Sequence, residues 1–247
     1  MKPQLRRFHS LRLLITSGVL PVLILSACAP DPLAIPGPSR AVTRAEAMAI
    51  AHAYTALPWM PEDRHARHGP DRQGILVHTP DHSLSHHGYP GGWWKPDTTA
   101  IGMPYQWGGF DTPRSFLNAI ARGEKAGDIA TAEKRRLIDD AVSSDSAGID
   151  CSGFVSRCWR LQRPYSTREL PSICDALDDW DHLEPGDILL KQGHVLLFKS
   201  WRPGRERLQF YEAGIHPAWR VNRNSLRVSE LKREGYRAWR YRRILDS

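Results

Sequence analysis

Apolar positions recur at helical spacing early in this chain and at strand spacing late in it. From Ala45 the sequence runs "AEAMAIAHAYTAL", good helix formers throughout, and Thr43 with Glu46 supplies a capping-box pattern ahead of it. A helix over 43–57 follows, stopped by Pro58 and Pro61. Residues 61–95 hold prolines, glycines, aspartates and histidines without a period, and read as a long loop. Helical spacing returns at 113–122, with Asp111 and Thr112 as capping oxygens and Pro113 in the opening turn. A further helix is expected over 131–143, capped by Thr131. Beyond residue 183 the pattern becomes short and alternating: "GDILL", "HVLLFKSW", "LQFYEA" and "RAWRYRRIL", separated by "EPG", "KQG" and "RPGRER". These runs predict an antiparallel meander of four or five strands. The last run fits a surface helix as well as a strand.

Helices first and strands later define an α+β fold, with helices packed on an antiparallel sheet of about five strands. The 247 residues, 41% hydrophobic with nine tryptophans, suffice for a sizeable core and argue against disorder. No internal repeat is visible.

The first residues stand apart. Lys2, Arg6, Arg7 and Arg12 precede "LLITSGVLPVLIL", and "LSAC" then ends at Cys28. The apolar run is short for a membrane span. The segment resembles a bacterial lipoprotein signal. That resemblance implies a signal peptide at 1–27, cleavage before Cys28, lipidation of Cys28 and a membrane partner held through that anchor. Ala29 after the cysteine points to the outer membrane, facing the periplasm. Residues 28–41 contain four prolines and read as a tether. Loss of 1–27 removes four cationic side chains and no acidic one, taking the net charge from +7 to +3. The remaining basicity gives no case for nucleic acid and suits a polyanionic wall or headgroup surface.

The chemistry-bearing stretch is "GIDCSGFVSRCW", Gly148–Trp159. Asp150 is a good N-cap, which places Cys151 in the first turn of a helix, where unpaired N–H groups favour a thiolate. Ser152 and Gly153 are small enough for a substrate carbonyl to approach the backbone. A buried structural cysteine fits the same residues, so a base is the next requirement. His194 follows a glycine turn and opens an apolar strand. Glu212 sits inside "LQFYEA", where a buried carboxylate needs a partner and an imidazole would supply it. An outward-facing Glu212 remains the alternative. Cys158 and Cys174 form either a disulfide or two reduced thiols.

Four segments in order, "MPYQWGG" (103–109), "DCSGFV" (150–155), "LEPGDIL" (183–189) and "GHVLLF" (193–198), resemble the NlpC-type cell-wall cysteine peptidases, a papain-like family. The resemblance spans roughly 96–215. It implies a single papain-like catalytic domain over 42–245, Cys151 as nucleophile and His194 as base. It places Tyr105 and Trp107 beside the substrate, with Ser152. It implies peptidoglycan stem peptides as substrate, cut after D-γ-glutamyl, and no cofactor or metal. The family's third polar residue, commonly histidine, is matched by Glu212. Stretches at about 61–95 and 110–147 stand as insertions. Other readings stay open: an amidase or acyltransferase on a non-wall substrate, a wall-binding lipoprotein without activity, or a metal held by His78, His82 and His86.

Overall fold

The computed structural model describes residues 33–215 and 218–246. The expected signal peptide, the lipidation site at Cys28 and the start of the tether lie outside them. From residue 33 the stretch expected to be a tether packs on the body. Leu33 and Ile35 pack against the main core, and Ser39 N–H donates to the Arg160 carbonyl at 2.9 Å.

The first helix, α1 (Arg44–Thr55), carries the full capping box: Glu46 N–H donates to Thr43 Oγ1 and Thr43 N–H to the Glu46 carboxylate. It buries Ala47, Ile50, Ala51 and Tyr54 at helical spacing. α2 (Pro113–Arg122) starts on Thr112 as expected and stops at Gly123, whose φ of 90° suits a residue without a Cβ. The helix expected over 131–143 is shorter. α3 (Ala132–Leu137) ends where Ile138 takes a φ of 55°, and a 3₁₀ turn, Ile138–Ala141, follows. Lys134, buried on α3, donates to the Ala141 carbonyl at 3.1 Å and pulls that turn back.

Residues 61–95 are largely irregular but anchored. Their one hairpin pairs His68–Pro70 with Leu76–His78. Trp59 meets Trp93, Trp94 and Phe116 edge-on, so the segment wraps the core with aromatic rings.

The sheet is antiparallel and has six strands, where about five were expected. They are β1 (Cys174–Leu177), β2 (Ile188–Lys191), β3 (His194–Trp201), β4 (Arg207–Gly214), β5 (Arg220–Arg227) and β6 (Arg237–Tyr241), in the order β5-β4-β3-β2-β6-β1. The meander covers β2 to β5. β6 then returns beside β2, so "RAWRYRRIL" is a strand and not a helix. β5, "RVNRNSLR", was missed because its polar composition hides an edge strand. Side chains of β3 and β4 alternate between two cores: Val195, Leu197, Tyr211 and Ala213 face a core shared with the α4 helix, and Leu196, Phe198, Leu208 and Phe210 face a second one closed by Leu231 of α5 (Val228–Arg233). That α4 helix is Cys151–Cys158.

"LEPGDIL" has a structural explanation. Fully buried Asp187 accepts from Arg44 and Arg240 and from the Glu184 N–H, and the neighbouring Gly186 carbonyl accepts from Trp159 Nε1 at 2.9 Å. The turn therefore locks the sheet to α1 and to the far end of α4.

Candidate active site

Two distant motifs meet at the start of α4. Tyr105 and Ile149 pair in parallel, Gln106 N–H donates to the Ile149 carbonyl, and Asp150 N–H donates to the Gly109 carbonyl. The approach is close enough to require glycine. A Cβ on Gly109 would lie 2.7 Å from the Gly148 carbonyl oxygen, and one on Gly153 would meet the Gly109 carbonyl. The glycines of "WGG" and "DCSG" thus serve a single backbone contact between segments about 40 residues apart in the chain.

Asp150 caps α4 as expected. Its carboxylate accepts from Gly153 N–H at 2.6 Å and from Ser152 Oγ at 2.9 Å. Burial pushes its titration upward, and these donors oppose the shift. The Ser152 hydroxyl is therefore committed to the cap. Cys151, at the first helical position, is buried, with 6% of its surface exposed.

His194 occupies the first position of β3, after the tight turn at Gly193 (φ 74°). Its Nε2 lies 2.9 Å from Glu212 Oε2, and the Cys151 side chain is near enough to act on the charge of its ring. Since Nε2 is engaged by Glu212, Nδ1 is the nitrogen left for the sulfur. Burial alone would lower the His194 pKa. The adjacent Cys151, joined by Glu212, overcomes that and raises it to about 10. Glu212 is buried and receives a longer contact from Asn224 Nδ2 at 3.5 Å. Gly214 faces the pair: a Cβ there would lie 2.8 Å from Glu212 Oε2 and 3.0 Å from His194 Cε1.

The three sequence candidates Cys151, His194 and Glu212 are thus brought together. Tyr105 is beside them, buried against Trp219 with ring centroids 5.2 Å apart, and its phenol is held protonated by burial and by the neighbouring Cys151. Trp107 is set apart from the cavity. Its Nε1 donates to the Ile138 carbonyl at 3.0 Å, and its ring lies under Arg135.

The other described thiols differ in kind. Cys158 and Cys174 are free, so the disulfide alternative is corrected: each is buried in the apolar core instead of facing a partner sulfur. Burial raises the Cys158 pKa far up and pushes Cys174 to about 12, so neither is a nucleophile at neutral pH. The His78 and His86 rings touch, with centroids 5.0 Å apart, but no group of three or more ligating side chains lies close enough to hold a metal ion among the described residues.

A cavity of about 450 Å³ opens beside His194 and Glu212. Tyr89, Tyr105, Arg135 and Trp219 form part of its wall. Sequence reasoning missed Gly214, Trp219 and Arg135. Gly214 carried no signal beyond its place two residues after Glu212, and Arg135 lay in a stretch set aside as an insertion.

No protein-family model, no curated protein and no solved structure matches this chain.

Proposed function

We propose that this chain is a thiol hydrolase of papain-like type that cleaves amide bonds in peptidoglycan stem peptides after a D-γ-glutamyl residue. One observation carries the reading: a helix-initiating Cys151 beside His194, whose Nε2 is 2.9 Å from buried Glu212. The substrate class rests on the resemblance of the four sequence segments to wall peptidases.

In the proposed mechanism, protonated His194 pairs with the Cys151 thiolate, and the sulfur attacks the scissile carbonyl. The N–H of Cys151 lies outside the Asp150 cap, which engages Ser152 and Gly153. It is the backbone donor assigned to the oxyanion. His194 then protonates the leaving amine, and Glu212 stabilises the imidazolium and fixes the ring. Water attacks the acyl-enzyme, returning the thiolate and releasing the new carboxylate. Lipid attachment at Cys28 would hold this activity against the wall at the outer membrane.

The test is incubation of purified sacculi and defined stem peptides with the full chain in detergent, beside Cys151→Ala. New amines formed only by the wild type support hydrolysis. Equal traces from both proteins remove the enzyme reading and favour wall binding. Cleavage of simple amides with no action on stem peptides would favour the non-wall amidase.

A further inference from the structure

The charged groups that line the cavity are nearly all paired. Glu212 holds His194 at 2.9 Å, and Lys191 Nζ holds Glu234 at 2.7 Å. Arg135 is the exception: it lines the same cavity and forms no ion pair among the described residues. Its Nη1 lies 3.3 Å from the position a Cβ would take on Gly193, the residue before His194. The guanidinium is thus beside the turn that leads into His194.

Trp219 also lines the cavity, but its indole Nε1 is buried out of reach of solvent, which leaves the exposed Arg135 as the cationic donor of this wall. A guanidinium without an ion-pair partner suits an acceptor-rich anion.

Arg135 is also held in place. Thr131 caps α3, and the preceding residue, Lys134, is buried in an ion pair of 2.6 Å with Asp128. Asp128 N–H donates to the Tyr105 carbonyl and its own carbonyl accepts from Trp107 N–H, so the brace is tied to the "PYQW" segment beside the nucleophile. The 110–147 insertion thereby delivers one guanidinium to the catalytic cavity.

We propose that Arg135 is a specificity subsite for a substrate carboxylate close to the scissile amide. This deepens the proposed function and rests on it for the identity of the peptide. A stem peptide cut after D-γ-glutamyl offers two such groups: the α-carboxylate of the γ-linked residue on the acyl side, and the carboxylate of the residue on the leaving side.

The experiment compares peptides carrying each carboxyl free or amidated. Cleavage by the full chain gives kcat/KM, and fluorescence titration of the Cys151→Ala protein gives affinity without turnover. Amidating one of the two carboxyls is expected to reduce both quantities about 10- to 100-fold, the range for a charge-assisted hydrogen bond. Which peptide responds identifies the source. In Arg135→Gln that preference should collapse, and in Arg135→Lys it should persist in part. Indifference of the wild type to both amidations overturns the subsite. So does an Arg135→Gln loss of equal size on acid and amide. Charge-selective binding without cleavage would sink the hydrolase reading and leave the subsite standing. Cleavage without charge preference would do the reverse.

Discussion

Glu212 Oε2 lies 2.9 Å from His194 Nε2, and that one contact leaves Nδ1 as the ring nitrogen not engaged by the carboxylate. The carboxylate comes from the middle of β4 and the ring from the first residue of β3, so two adjacent strands fix their separation. Neither group depends on a flexible loop for its height above α4.

Loss of the carboxylate should therefore affect turnover more than binding. Glu212→Gln keeps the volume but removes the charge that stabilises an imidazolium. We expect kcat to fall by about two orders of magnitude or more, with a small change in KM. Steady-state kinetics on a defined stem peptide checks this. An unchanged kcat would make Glu212 a structural partner only.

Gly214 gives a prediction from shape alone. The added methyl of Gly214→Ala would press on Glu212 Oε2 and His194 Cε1 at 2.8 and 3.0 Å. One of the two must move by several tenths of an ångström, and activity should drop about tenfold or more while the fold persists. Circular dichroism beside kinetics separates the two effects. A fully active Gly214→Ala would mean that the pair tolerates displacement.

The brace of α3 is testable by stability. Burial raises the Asp128 pKa to about 6 against the pull of Lys134, so this pair holds its charges at a cost. Lys134→Met strands the carboxylate and should lower unfolding free energy by about 3 kcal/mol. The Lys134→Met/Asp128→Asn double variant should regain much of that. Urea denaturation of the three proteins decides it, and an additive double variant would refute the coupling.

Much of the site was legible because its signals are local. Asp150 as a cap, Cys151 in the first turn and His194 after a glycine turn each follow from a few adjacent residues. Glu212 was legible because a carboxylate between Tyr211 and Ala213 is costly without a partner. The helix and strand periods likewise gave the α+β class and the order of its parts.

What stayed hidden depends on contacts between distant segments. The polar strand β5 is specified by its ladder to β4, from Arg207↔Arg227 to Gly214↔Arg220, and not by its own residues. The early end of α3 is set by Ile138 and by Lys134 reaching Ala141, neither visible as a breaker. The separation of Cys158 from Cys174 is a matter of packing. The close backbone contact of Gly109, Gly148 and Gly153 appears only once Tyr105 pairs with Ile149.

The titration of His194 offers the most direct check on the proposed pairing with Cys151. Its ordinary pKa is 6.5, and burial acting alone would carry it lower. Cys151 and Glu212 instead raise it to about 10 in the folded protein. A group whose folded pKa exceeds its unfolded value binds its proton more tightly when folded. The stability this contributes is complete below pH 6.5 and is lost as pH climbs through 10. The difference in unfolding free energy between wild type and His194→Ala should therefore shrink steadily over that interval. Removing either supporting group should lower the pKa, so NMR of the His194 ring should show titration at lower pH in Cys151→Ala and in Glu212→Gln than in the wild type. A wild-type imidazole that titrates near 6.5, or a stability difference that stays flat from pH 6.5 to 10, would mean that the sulfur and carboxylate do not hold the ring charged, and the ion-pair mechanism would have to be abandoned.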